Sequence, residues 1–180
     1  GMFVGAHRAV AWKDIETSPG VYNWSAFDSW IAGQGALGNR VGIGVDSCSS
    51  GGSVAPDWIP KIVCSTAQGP KILPNYWSEE YQREFRKLVL AFGQRYRSNP
   101  TVEWVQVSTG RDGENQPYSE ETDQCLFDLG HGREDWVAVV SEVIDYYREA
   151  FPNKALMTRH YPMFYADAER RDIAEQAAPL

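Results

Sequence analysis

Positive charge is scarce in this chain of 180 residues, where 17 Lys and Arg face 24 Asp and Glu for a formal net charge of -7. No basic run offsets the deficit, so the electrostatic footprint of a nucleic-acid surface is missing and no nucleic-acid partner is expected. Long apolar runs are missing as well. None approaches the roughly 20 residues of a membrane-crossing helix, and the first residues lack the charged and apolar regions of a signal peptide, so no membrane partner is expected. Gly1-Met2 reads as a tag remnant, which leaves room for a leader removed ahead of it.

Cysteine and histidine are sparse too, at three each. Cys48, Cys64 and Cys125 have no CxxC spacing, which argues against a zinc site, and no metal is expected. Two states stand equal for them. One is a single disulfide with a free third thiol, Cys48 and Cys64 being the closest pair in sequence; the other is three reduced, buried cysteines. The compartment is therefore not fixed, with an extracellular or periplasmic setting somewhat favoured. Gly42-x-Gly44 and Gly51-Gly52 make neither a dinucleotide fingerprint nor a phosphate loop, and no Gly-x-Ser-x-Gly elbow occurs. No cofactor is expected, and an esterase triad has no support.

What the chain does have is 43% hydrophobic and 13% aromatic residues. That is enough to bury a core, and residues 1–180 read as one domain. Residues 3–12 read as a strand that runs into a turn at Ser18-Pro19-Gly20, after which Ser25 caps a helix holding Phe27, Trp30 and Ile31. Residues 40–46 form a second strand, with Val41, Ile43 and Val45 on one side and Gly42 and Gly44 between them. A long loop follows to about residue 78. The spacing of Tyr81, Phe85, Leu88, Val89, Phe92 and Tyr96 predicts an amphipathic helix over 79–97. A third strand over 101–109, a second long loop, a helix over 134–151, a fourth strand over 154–159 and a last helix over about 167–177 complete the pattern. Alternating strands and helices predict a parallel sheet with right-handed crossovers. Four such units are about half of an eight-unit barrel, which typically takes ~250 residues.

Glu114 is the leading site candidate. It follows the third strand in the run from Val105 to Pro117, at the C-terminal end where barrel enzymes carry their chemistry. Its alternative is an exposed loop glutamate. Arg111 and Asp112 stand close enough to bracket a substrate, or to form a surface ion pair. Asp46, at the end of the second strand, can hold a sugar hydroxyl or cap a turn. Arg8 lies within a strand, where a cation needs a carboxylate or a polar interior.

The run from His7 to Trp24, with Trp12, Glu16, Pro19-Gly20, Tyr22-Asn23-Trp24 and then Asp28, resembles the second-strand signature of retaining glycoside hydrolases with a (β/α)8 barrel. The likeness is to the β-galactosidase-like and family 42 type. Residues 41–45 with Pro56-Asp57-Trp58 resemble that family's third strand and its proline-tryptophan loop. The resemblance implies an α/β fold, a partial TIM-type (β/α)8 barrel of about four parallel βα units, acting on carbohydrate. It implies that Glu114, matching the Glu that ends the family's fourth barrel strand, is the general acid and base, although Gly113 stands where the family commonly has Asn. Retaining chemistry needs a second carboxylate about 5 to 5.5 Å away. In the family that nucleophile ends the seventh strand, which this chain does not hold, and the first strand is also not matched. The chain is thus expected to be a piece of a larger barrel, inactive alone, or a half barrel completed by another chain or a homo-oligomer.

Substrate contacts are expected from Arg8, Trp12, Asp46, Trp58, Arg111, Asp112, Asn115, His160 and Tyr161, with Trp77 as a further flat face. Trp104, Trp30 and Trp136 read as core. Glu16 reads as a structural support of its turn. The alternatives are a carbohydrate-binding or scaffold protein without turnover, and an α/β enzyme acting on another small molecule.

Overall fold

Four segments of strand-forming residues build the central sheet of this protein, described here from a computed structural model that covers residues 5–159, 171–175 and 178. In chain order the elements are β1 (Gly5–Ala11), a single turn α1 (Trp12–Ile15), β2 (Glu16–Ser18), β3 (Val21–Tyr22), α2 (Ser25–Ala36), β4 (Arg40–Asp46), β5 (Cys48–Ser49) and β6 (Gly52–Ser53). There follow β7 (Lys61–Thr66), β8 (Gly69–Pro74), α3 (Glu79–Tyr96), β9 (Val102–Gln106), α4 (Asp123–Asp128), α5 (Arg133–Ala150) and β10 (Ala155–Met157). Of the expected last helix, residues 171–175 are helical; residues 167–170, 176 and 177 lie outside the described residues.

Strands β1, β4, β9 and β10 pair in that order, all parallel. Spatial order follows chain order, with a helix between successive strands. The sheet is therefore wound in one direction, without the reversal that marks a doubly wound fold, and this is how a barrel wall is made. Strand alternation separates two faces. Val41, Ile43, Val45 and Val105 are buried in the core that the sheet shares with its helices. The concave face carries His7, Gly42 and Trp104 in one row and Ala9, Gly44, Gln106 and Met157 in the next. A Cβ at Gly42 would lie 2.1 Å from the Trp104 indole, so that ring occupies the space a side chain would need. Trp104 therefore belongs to the concave face, stacked 4.8 Å from His7, rather than to the helix-packed core.

The long helices form where the apolar spacing places them. Ser78 Oγ caps α3 by accepting from the Tyr81 N–H at 3.1 Å, and Glu79 and Glu80 in the first turn complement the helix dipole. Asp135 closes the start of α5 on the Gly132 N–H at 2.9 Å. At α2 the N-cap position is Trp24, without a side-chain cap bond, and Asn23 Oδ1 just ahead of it accepts from both the N–H and the hydroxyl of Ser25, so Ser25 is the first helical residue and not the cap. Glu16 supports its turn as the sequence indicates. It is buried and accepts from Trp12 Nε1 at 2.5 Å and from the Gly20 N–H at 2.7 Å.

The two long loops are more ordered than their composition suggests. The stretch 47–78 holds two small antiparallel hairpins, β5 with β6 and β7 with β8, and the later one holds α4. Cys64 of β7 and Cys125 of α4 form a disulfide, so the sequence-adjacent pair Cys48 and Cys64 is not the one joined. Cys48 is the free thiol. Burial pushes it up to about 12, which keeps it unreactive near neutral pH. The cross-link spans 61 residues, and closing a loop of that size is worth about 4 kcal/mol. Reduction is therefore expected to lower the melting temperature by roughly 8 to 16 °C. Identical calorimetric scans with and without reductant would remove the disulfide from the account of stability.

Candidate functional site

Beyond β9 the chain leaves the sheet and returns. Val107 still pairs with β10 through its N–H to the Met157 carbonyl, residues 110–113 loop outward, and Glu114 then bridges to Arg159 in parallel fashion. Two backbone bonds close the excursion, from the Arg111 N–H to the Gln116 carbonyl and from the Glu114 N–H to the Arg111 carbonyl. Asp112, with φ at 52°, is the described non-glycine residue in the left-handed region, where aspartate is among the better tolerated types. Gly113 follows at φ 75°, and a Cβ on it would sit 1.9 Å from Gln106 Nε2. An asparagine has no room there, which accounts for the Gly-Glu ending.

Glu114 thus stands at the C-terminal edge of the sheet with its side chain 18% exposed. One oxygen lies 3.5 Å from the Arg159 guanidinium, and the other accepts from Gln116 Nε2. It lines a cleft of about 530 Å³ with Arg111, Asp112 and Gln116 from the same loop, Gln68 from the β7–β8 turn, and the Glu120-Glu121 pair. Gln116 Oε1 is buried and has no hydrogen-bond partner among the described residues, which leaves an unused acceptor next to the carboxylate. Arg111 pairs with Asp112 at 3.3 Å and lies 5.3 Å above the Tyr118 ring. Asp112 in turn accepts from the Ser50 N–H at 3.0 Å, tying the loop to the β5–β6 hairpin.

Asp46 sits one strand away at the end of β4. Its Oδ1 accepts from Gln106 Nε2 at 3.0 Å, and the same amide donates to Ser108 Oγ at 2.9 Å. Burial, chiefly, pushes the Asp46 carboxyl up to about 6; the Ser108 hydrogen bond opposes this, the Asp112 charge adds to it, and Arg159 and Gln106 oppose it. The folded value lies above the ordinary 3.8, so the protonated form stabilises the fold. That contribution is complete below about pH 4 and is lost as the pH rises through about 6. Relative to an Asp46→Asn variant, wild-type stability in urea titrations should fall across that window. A difference independent of pH would show that Asp46 titrates normally.

The structure brings Glu114, Arg111 and Asp112 together, with Asp46 beside them across Gly113. The other candidates are placed differently. Trp12 is fully buried, touching Tyr81 and Phe85, and cannot face a sugar. Burying an indole is worth about 4 to 6 kcal/mol, which explains its place in the core. Trp58 is half-buried against the core, and Trp77 is stacked 4.0 Å under His131, so neither lines the cleft. Arg8 is on the helix side of β1, 5.8 Å above Trp30. One residue earlier, His7 has the inward phase and lines a cavity of about 320 Å³ with Trp104, Gln106, Met157 and Arg159. Burial, then the Arg159 charge, lowers the pKa of His7. Asn115 is buried at 4% exposure, its carbonyl accepting from Trp136 Nε1, which makes it a strut of the loop rather than a substrate contact. His160 and Tyr161 lie outside the described residues. Gln106, Gln116 and Tyr118 are additions; the signal for Gln106 is its in-phase position with Gly42 and Gly44 on a strand.

A parallel sheet wound in one direction, with its polar loops at the C-terminal ends of the strands, defines a sector of a TIM-type (β/α)8 barrel. Glycoside hydrolases are among the solved structures that share it. A β-galactosidase from the psychrophilic Marinomonas ef1 superposes with a TM-score of 0.64 at 16% identity, over 94% of this chain and 35% of that one. A cold-adapted β-galactosidase from Rahnella sp. R3 gives 0.59 at 14% identity, over 86% and 31%. A xylanase from Paenibacillus barcinonensis gives 0.56 at 18% identity, over 94% and 47%. At such identities the likeness establishes the fold, and the chain spans 31 to 47% of the length of these proteins. No protein-family model matches the chain, and no curated protein matches it in sequence.

Proposed function

We propose that the chain is part of a carbohydrate-active barrel of the glycoside hydrolase type, with Glu114 as its general acid and base. The observation that carries this reading is the position of the carboxylate: at the C-terminal edge of the third strand of the sheet, lining the cleft, next to an unpaired amide acceptor. Arg159 and Gln116 orient it, and Asp46 supplies a neighbouring carboxyl for a substrate hydroxyl. A retaining mechanism takes its nucleophile from a further strand, so turnover belongs to a barrel that includes one. The outer edges of β1 and β10 are where such strands, or a second copy, would add. The Cys64–Cys125 disulfide supports an extracellular or periplasmic setting.

The test is hydrolysis of glycosides by the wild-type protein and by Glu114→Gln. A second reading, sugar binding without turnover, draws on the fact that both Glu114 oxygens are already engaged by donors. It predicts sugar affinity with no hydrolysis in either protein.

A further inference from the structure

The cleft at Glu114 shares a wall with another. Glu121 of the first cleft meets Lys71 at 3.4 Å, and Lys71 and Arg111 both lie over the Tyr118 ring, at 6.0 and 5.3 Å. Beyond that wall is a second pocket of about 590 Å³, between the β5–β6 and β7–β8 hairpins, that Ser53, Lys61, Lys71, Ile72 and Tyr118 help to line. We propose that this pocket is a second sugar subsite, so that the site takes a glycan of at least two rings. The proposal rests on the carbohydrate reading above.

Three features of the pocket select a neutral polyol. Ser53 Oγ is buried and has no hydrogen-bond partner among the described residues, the same condition as Gln116 Oε1 in the first cleft. Buried polar atoms are nearly always paired, so each cleft holds a group that a ligand hydroxyl would satisfy as donor or acceptor. Next, Ile72, 47% exposed on β8, and Pro70 give the otherwise polar lining an apolar strip, and such surfaces suit the C–H faces of a pyranose. Last, the cations are already occupied. Lys71 faces Glu121, Arg111 faces Asp112, and Lys61 donates to the carbonyls of Pro56 and Ile59 at 2.9 and 3.3 Å. A phosphate or nucleotide would have to displace those partners, whereas a hydroxyl need not. Both pockets fall within the range of small-ligand sites, roughly 300 to 1,000 Å³. The Cys64–Cys125 link holds the β7–β8 hairpin that forms one wall.

Isothermal titration with xylose-, galactose- and glucose-based ladders, from monosaccharide to tetrasaccharide, tests the proposal. In the wild type, affinity should rise about tenfold or more between the monosaccharide and the longer members of at least one ladder. Ile72→Trp fills the second pocket from an exposed strand position and should remove that gain while leaving monosaccharide affinity intact. Ser53→Ala should reduce the gain by roughly threefold. Affinity independent of length, or a gain that survives in Ile72→Trp, overturns the second subsite while leaving the carbohydrate reading in place. No affinity for any member of the ladders overturns both.

Discussion

Glu114→Gln is expected to lower kcat/KM for a disaccharide by about a thousandfold in the intact protein, within the range that one positioned general acid contributes. The amide keeps the size of the side chain and can still accept from Gln116 or face Arg159, so the fold should be unaffected. What it loses is the proton that the departing sugar oxygen needs. A dinitrophenyl glycoside leaves as a stable phenolate without that proton, so its kcat/KM should fall far less. This contrast between leaving groups is the diagnostic. An equal loss on both substrates would mean that Glu114 positions the sugar and does not act as the acid. No loss on either would remove it from the mechanism.

Gly113→Ala should damage both the fold and the site. An L-residue at φ 75° costs roughly 1 to 2 kcal/mol, and forcing a methyl group against the Gln106 amide adds about 1 to 3 kcal/mol. The melting temperature should therefore fall by roughly 4 to 20 °C. Gly20→Ala is the matched control, because Gly20 has the same φ of 75° and, among the described residues, nothing within 4 Å of an added Cβ. It should show the backbone cost alone. The difference between the two variants isolates the contact with Gln106, and equal losses would mean that this contact carries no weight. Because Gln106 also holds Asp46, Gly113→Ala should further weaken sugar binding, which Gly20→Ala should leave alone.

The parts of this fold that can be read from the sequence are those set by period. The apolar spacing from Tyr81 to Tyr96 and from Trp136 to Tyr147 locates α3 and α5 to within a residue or two, since burial of one face decides both. The hairpins in residues 47–78 are hidden because Pro60, Pro70 and Pro74 read as loop punctuation. In the structure those prolines stand beside or at the edges of strands of two to six residues, where a missing N–H is tolerated. Disulfide connectivity is not encoded in spacing, which is why the pair nearest in sequence misleads. In the site, Glu114 is legible from its place after a strand. Arg8 is misread through phase, since a shift of one residue along β1 exchanges the helix side for the concave face and gives His7 its place. Trp12 misleads for another reason: an indole suits a sugar face and a core equally well, and only burial tells them apart.

The link between Cys64 and Cys125 also governs what a cut in the backbone would do. Ala67 and Gln68 form an exposed turn at the tip of the β7–β8 hairpin, the kind of place where proteases nick folded chains. A nick there falls between the two bridged cysteines, so the pieces before and after it remain one covalent molecule. Glu114 and Asp46, which lie on opposite sides of such a cut, would stay in the same particle, and the halves would part only once a reductant was added.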